Sequence, residues 1–118
     1  MNITLYGIRN CDTVKKARAW LDGRNVTYTF HDYKTAGIDG GRLERWCEEL
    51  GWEAVFNRAG STFRKLPEAD RHALDARQAI ALMRAQPSLI KRPVLDLGRS
   101  LLVGFKAEQY AREFPSQR

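Results

Sequence analysis

Two periods of apolar residues recur along this chain, and the places where one gives way to the other mark its elements. Ile3 to Tyr6 is a short apolar run closed by Gly7, which predicts a buried strand. From Thr13 the apolar positions become Val14, Ala17 and Leu21, with Lys15, Lys16 and Arg18 between them; this is helical spacing, with Gly23 as its terminator. Val26 to Tyr33 sets Val26, Tyr28 and Phe30 against Thr27, Thr29 and His31, and a period of two predicts a strand. Strand, helix, strand is a βαβ unit whose strands run parallel.

Ala36-Gly37-Ile38-Asp39-Gly40-Gly41 then reads as a turn, in which Asp39 can accept hydrogen bonds from the free amides of the next helix. That helix carries one apolar stripe of Leu43, Trp46, Cys47 and Leu50. An irregular region, Asn57 to Pro67, precedes a further helical stretch with Leu74, Ala79, Ile80, Leu82 and Met83, closed by Pro87. Beyond the Leu89-Ile90-Lys91-Arg92-Pro93 connection, Val94–Leu97 and Ser100–Val103 flank Gly98-Arg99, a two-residue turn of the kind that joins antiparallel strands. Gly104 leads to a last helix with Phe105, Tyr110 and Phe114. The order is βαβ, a helical segment, then ββα. With no repeat, low-complexity tract or linker, residues 1–118 are expected to form one α/β domain, with a core of about 1–35 and 88–118 and a helical insertion of about 36–87. Trp20 and Trp52 are expected in the core.

Composition narrows the possibilities. At 118 residues with 43% hydrophobic content, the chain can build one packed core and is too short for two ordinary domains. No apolar run approaches the ~20 residues that span a bilayer, and Met1 to Tyr6 lacks a basic segment followed by a long apolar one, so no membrane partner and a cytoplasmic location are expected. The net charge of +6 is scattered among acids, as in Arg64-Lys65-Leu66-Pro67-Glu68, which suits a solvated surface and no specific nucleic-acid partner. Two cysteines and two widely separated histidines, His31 and His72, supply neither a disulfide framework nor metal-ligand spacing, so no metal is expected and a reducing compartment fits.

The chemistry concentrates at Cys11, where a strand ends and a helix starts. Its sulfur can sit beside the unpaired amides of the first helical turn, which favour an anion. A thiol ordinarily near about 8.5 is lowered by one to several units in such a place, and Arg9, Lys15 and Arg18 are close enough in sequence to add positive potential. The polar neighbours Asn10, Asp12 and Thr13 point to a solvent-reachable loop, with Asn10 or Thr13 as the helix cap. Thr13 and Val14 occupy the places where a dithiol motif would carry its second cysteine, and Cys47 lies on an apolar stripe, so the site is monothiol. An outside thiol must regenerate it, and glutathione is the abundant cytosolic choice. Arg92-Pro93, before the third predicted strand, can adopt a cis bond and aim a guanidinium at whatever anion the thiolate attacks.

Taken together, these pieces resemble the arsenate reductase (ArsC) and Spx family of the thioredoxin superfamily, and most of all its YffB branch. The resemblance is carried by Thr4-Leu5-Tyr6 leading to Cys11, Lys16-Ala17-Arg18, Asn57-Arg58 before Phe63-Arg64-Lys65-Leu66, Arg92-Pro93, and Val103-Gly104-Phe105. It implies a thioredoxin-like four-stranded mixed sheet with a helical insertion, and Cys11 as nucleophile. In arsenate reductases of this type the thiolate attacks arsenate, three arginines stabilise the adduct, and glutathione and glutaredoxin complete the reduction. Arg92 matches one arginine; a gap-free match puts Asn57 at the second, with Arg58 one step along, and Gly104 at the third. Losing a guanidinium from a site for a doubly charged oxyanion is costly. Spx-like regulators bind RNA polymerase and commonly carry a Cys-x-x-Cys switch, absent here at Val14.

The resemblance therefore implies a glutathione-dependent thiol reductase with no bound cofactor and glutathione as co-substrate. Its site would comprise Cys11, Arg92, Pro93, Arg58, Asn10 and Thr13, taking a small disulfide or oxyanion substrate, with glutaredoxin as a further partner. Arsenate reduction and a non-enzymatic, Spx-like regulator binding a protein partner are the rival expectations.

Overall fold

The computed structural model of the chain describes residues 2–72 and 74–114. Its elements are β1 (Thr4–Gly7), α1 (Asp12–Gly23), β2 (Thr29–Asp32), the single-turn α2 (Tyr33–Ala36), α3 (Gly40–Leu50), α4 (Trp52–Val55), α5 (Ser61–Arg64), α6 (Glu68–Arg71), α7 (Ala76–Ala85), a 3-10 turn at Pro87–Leu89, β3 (Val94–Asp96), β4 (Leu101–Val103) and α8 (Ala107–Glu113). Two compact units result, one from the residues up to Tyr33 together with those from Arg92 onward, the other from Lys34–Lys91.

The first unit is a four-stranded mixed sheet in the order β2-β1-β3-β4. β1 runs parallel to β2 and antiparallel to β3, and β3 is antiparallel to β4. The registers set Leu5 opposite both Phe30 and Leu95, and Leu95 opposite Leu102. These four residues therefore share one face of the sheet. On that face Leu5, Leu95, Leu97, Ala17 and Leu21 of α1, and Tyr110 of α8 form the core, with Trp20, Phe30 and Phe105 packed against it. Each fully buried leucine contributes about 1.5–3 kcal/mol over its exposed state. Tyr110 anchors the aromatic part, with Phe105 and Trp20 meeting it edge to face at centroid separations of 4.8 and 5.6 Å.

In the second unit, Asp39 caps α3 by accepting from the Arg42 amide at 2.9 Å, as its place in the sequence predicts. Asp75 does the same for α7 through the Gln78 amide at 2.8 Å. α3 buries Leu43, Trp46 and Cys47, and packs against α7, which buries Ala79 and Met83. Two backbone bonds of 2.7 Å, Asn57 to Leu89 and Lys91 to Val55, tie the segment after α4 to the end of the unit.

The β3–β4 hairpin has the predicted Gly98-Arg99 turn, closed by the Leu97 amide on the Ser100 carbonyl at 3.0 Å. Gly98 takes φ +82°, the left-handed conformation that the first position of such a turn can require. Other expectations need correction. β2 starts only at Thr29, because the Val26 amide is spent on the Leu21 carbonyl in closing α1 and pairing begins with Thr4 opposite Thr29. Tyr33 opens α2 instead of ending the strand. Gly23 stays helical; the left-handed residue after α1 is Asn25, at φ +57°. Leu74 precedes α7, the Asn57–Pro67 stretch contains α5, and Trp20 and Trp52 are half-buried.

Gly7 decides how closely α1 approaches the sheet. A Cβ there would lie 2.8 Å from Cγ2 of Val14, a fully buried residue of the first turn of α1. Gly7→Ala is expected to cost about 1–3 kcal/mol in urea unfolding, because the helix must shift to make room. An unchanged midpoint would mean that α1 is free to move away.

Candidate active site at the C-terminal rim of the sheet

The registers bring four segments to one end of the first unit's sheet. Gly7 ends β1 beside Asp32, the end of β2, while Tyr6 pairs with Val94, the start of β3, and Val94 with Val103, the end of β4. The loop to Cys11, residues Asp32 and Tyr33, Arg92-Pro93 and Gly104 therefore meet at this rim. The Arg92–Pro93 peptide is cis and Pro93 is buried. The Gly104 amide donates to the Pro93 carbonyl at 2.8 Å, and the Gly104 carbonyl accepts from the Tyr110 hydroxyl at 3.2 Å.

Cys11, half-buried, is itself the N-cap of α1, in an extended conformation of φ −134° and ψ 122°. Its carbonyl receives the first helical bond, from the Lys15 amide at 2.9 Å. The expected caps are thereby corrected: Asn10 is an exposed turn residue outside the helix, and the exposed Thr13 lies within the first turn. The thiol makes no cap hydrogen bond of full geometry, but the sulfur as an anion draws on the same amides an oxygen cap would use. Burial alone would raise the Cys11 pKa and is the largest single influence. The Val14 amide, a hydrogen bond from the Arg92 side chain, the Thr13 amide and the Arg92 charge together outweigh it, so the thiol pKa falls below its ordinary value.

The cation that acts on the sulfur is thus Arg92. Arg9, Lys15 and Arg18 do not supply the potential expected of them. Arg9, 74% exposed, pairs with Asp32 at 3.7 Å. Arg18 hydrogen-bonds the Tyr28 hydroxyl at 3.2 Å and lies 4.3 Å over the Phe30 ring. Cys11, Asn10, Thr13, Arg92 and Pro93 all belong to the first unit. Arg58 belongs to the second, where it approaches Glu53 at 3.9 Å and lies over the Trp52 ring. Cys47, also in the second unit, is buried, and burial raises its pKa. Both cysteines are free. Among the described residues no group of three or more His, Cys, Asp or Glu is placed to hold a metal ion, and no helix is long and apolar enough to cross a membrane.

Sequence reasoning missed Tyr33. It is fully buried, and its ionisation is suppressed mainly by burial, with Arg92 opposing and Cys11 and Asp32 reinforcing, so it stands within electrostatic reach of all three. Its only signal in the sequence was its place at the end of the second predicted strand.

Arg92→Ala is expected to raise the pKa of Cys11, seen as an upward move of the inflection in alkylation rate against pH; an unmoved inflection would leave the amides as the sole cause. The thiolate is better stabilised in the folded protein than in the unfolded chain, so folding releases a proton between the two pKa values. The stability this contributes is complete above the ordinary thiol value and is lost as pH falls through the lowered folded value. Urea midpoints across this window are expected to rise more steeply with pH in the wild type than in Cys11→Ser. Equal slopes would refute a stabilised thiolate.

Known proteins resemble this chain over almost its whole length. A solved structure named YFFB is 61% identical, with a TM-score of 0.91 over 94% of this chain and 97% of that one. An arsenate reductase (ArsC) related protein of Brucella melitensis is 54% identical, with a TM-score of 0.76 over 97% and 95% of the two chains. The global transcriptional regulator Spx of Streptococcus mutans is 27% identical over 96% of this chain and 83% of its own length. The α/β class and thioredoxin-like mixed sheet are thus those of the relatives. The ArsC family model matches residues 6–113, a span that runs from the end of β1 through the rim to α8, and the chain accordingly belongs to the ArsC family, in its YffB branch.

Proposed function

We propose that this chain is a glutathione-dependent thiol reductase working through Cys11 alone. The observation that supports it is the sulfur at the N-terminus of α1, made easier to ionise by two backbone amides and Arg92. In the first step the Cys11 thiolate attacks the glutathione sulfur of a mixed disulfide, forming a Cys11–glutathione disulfide and expelling the substrate thiolate, which takes a proton from water. A glutathione thiolate then attacks the glutathione sulfur of that adduct, yielding oxidised glutathione and restoring the Cys11 thiolate. In sum the substrate thiol is released, one glutathione thiol is oxidised, and the disulfide leaves as oxidised glutathione. Arg92 holds a carboxylate of the ligand, and Asn10, Thr13 and Pro93 border the sulfur. Glutaredoxin is an alternative reductant for the adduct, and the cytoplasm, where glutathione is plentiful, is the proposed location.

Arsenate reduction is the rival suggested by relatives named for it. It fits less well, since Gly104 stands where the family's third arginine would be, at φ +82°, a conformation that disfavours any other residue. A purely regulatory role is the other rival, weakened by Val14 in place of a second cysteine.

Incubation with oxidised glutathione at about pH 6.5, where ordinary thiols are almost wholly protonated, is expected to place one glutathione on Cys11 by intact-mass measurement. Cys11→Ser is expected to lose the adduct and all glutathione-dependent turnover. Turnover surviving in that variant would refute the mechanism, and oxidation of NADPH dependent on arsenate would favour the first rival.

A further inference from the structure

The rim holds a buried polar group that thiol–disulfide exchange, as set out above, does not use. Tyr33 is fully buried directly after Asp32, and the pairing of Asp32 with Gly7 puts it at the same end of the sheet as Cys11 and Arg92. A packing role alone would be met by phenylalanine, because a buried hydroxyl costs free energy unless something engages it. The charged groups within electrostatic reach of it are the Arg92 guanidinium, the Cys11 sulfur and the Asp32 carboxylate, and Asp32 pairs with Arg9. A phenol in such a place keeps its proton throughout the working range. Its oxygen can accept from a guanidinium while its hydrogen is donated to an anion. Arginine has many rotamers, and a guanidinium acts on a sulfur anion only while it is held there.

We propose that Tyr33 is a positioning residue for Cys11, its buried hydroxyl holding the Arg92 guanidinium against the sulfur. The proposal rests on Cys11 being the nucleophile of the function above, but not on which disulfide it attacks. Removing the hydroxyl leaves the ring and the core in place and frees Arg92 to point elsewhere, so the thiolate loses its cation.

The test measures the Cys11 alkylation rate against pH, which needs neither glutathione nor a substrate, in the wild type, Tyr33→Phe, Arg92→Ala and the double variant. Thermal unfolding of each confirms the fold. Tyr33→Phe is expected to raise the inflection by about half a pH unit, a roughly threefold smaller thiolate fraction below it. In the Arg92→Ala background the same change is expected to add nothing, because the hydroxyl acts through that guanidinium. An inflection unmoved by Tyr33→Phe, with or without a lower melting temperature, reduces Tyr33 to packing and overturns the proposal. A shift that persists in full without Arg92 overturns it too, since the hydroxyl would then act on the sulfur directly. An ordinary inflection in the wild type would overturn this proposal together with the function it rests on, whereas a lowered wild-type inflection that Tyr33→Phe leaves alone would remove only this one.

Discussion

Ionisation of one sulfur depends on how near a helix end can come to the end of a strand. The Val14 amide, the strongest of the influences that favour the Cys11 thiolate, belongs to a residue whose side chain rests on Gly7 with no room for a methyl group between them. Packing and chemistry are therefore one constraint at this point: the contact that seats α1 on β1 also places its amides at the sulfur. Arg92 reaches the same atom from the segment just before β3, the antiparallel neighbour of β1, so the anion is held from two separate parts of the chain.

The two cysteines show how environment divides one functional group into two behaviours. Cys11 and Cys47 both lose water, which by itself disfavours the charged form. Cys11 is given amides and a guanidinium in exchange. Cys47, on the buried stripe of α3, is given apolar neighbours and nothing that favours charge, so it keeps its proton.

Much of this was legible in the sequence because it is encoded locally. Helical spacing from Val14 to Leu21 specified the face of α1 that is buried, the Gly98-Arg99 pair specified the hairpin, and Asp39 before two glycines specified the start of α3. The position of Cys11 between a strand and a helix announced a helix-terminal sulfur. What stayed hidden depends on strand register, which no local pattern encodes. The alternation from Val26 to Tyr33 said nothing of where pairing with β1 would begin, and so could not show that Tyr33 ends up within electrostatic reach of Arg92, far away in sequence. Nor could proximity in sequence reveal that Arg9 and Arg18 would turn to Asp32, Tyr28 and Phe30 and leave the sulfur to Arg92. The cap was misread for a related reason: Asn10 and Thr13 are the better cap formers, but the close seating of α1 on Gly7 gives that position to the cysteine.

Gly104 carries a relay of two hydrogen bonds, from the Tyr110 hydroxyl to its carbonyl and from its amide to the Pro93 carbonyl. Tyr110 is at once part of the core on the helix-covered face and the outer end of this relay, so the last helix moors the peptide that presents Arg92. Clipping the tail before that tyrosine would consequently be felt at the opposite end of the chain, as a slackened grip on the reactive sulfur.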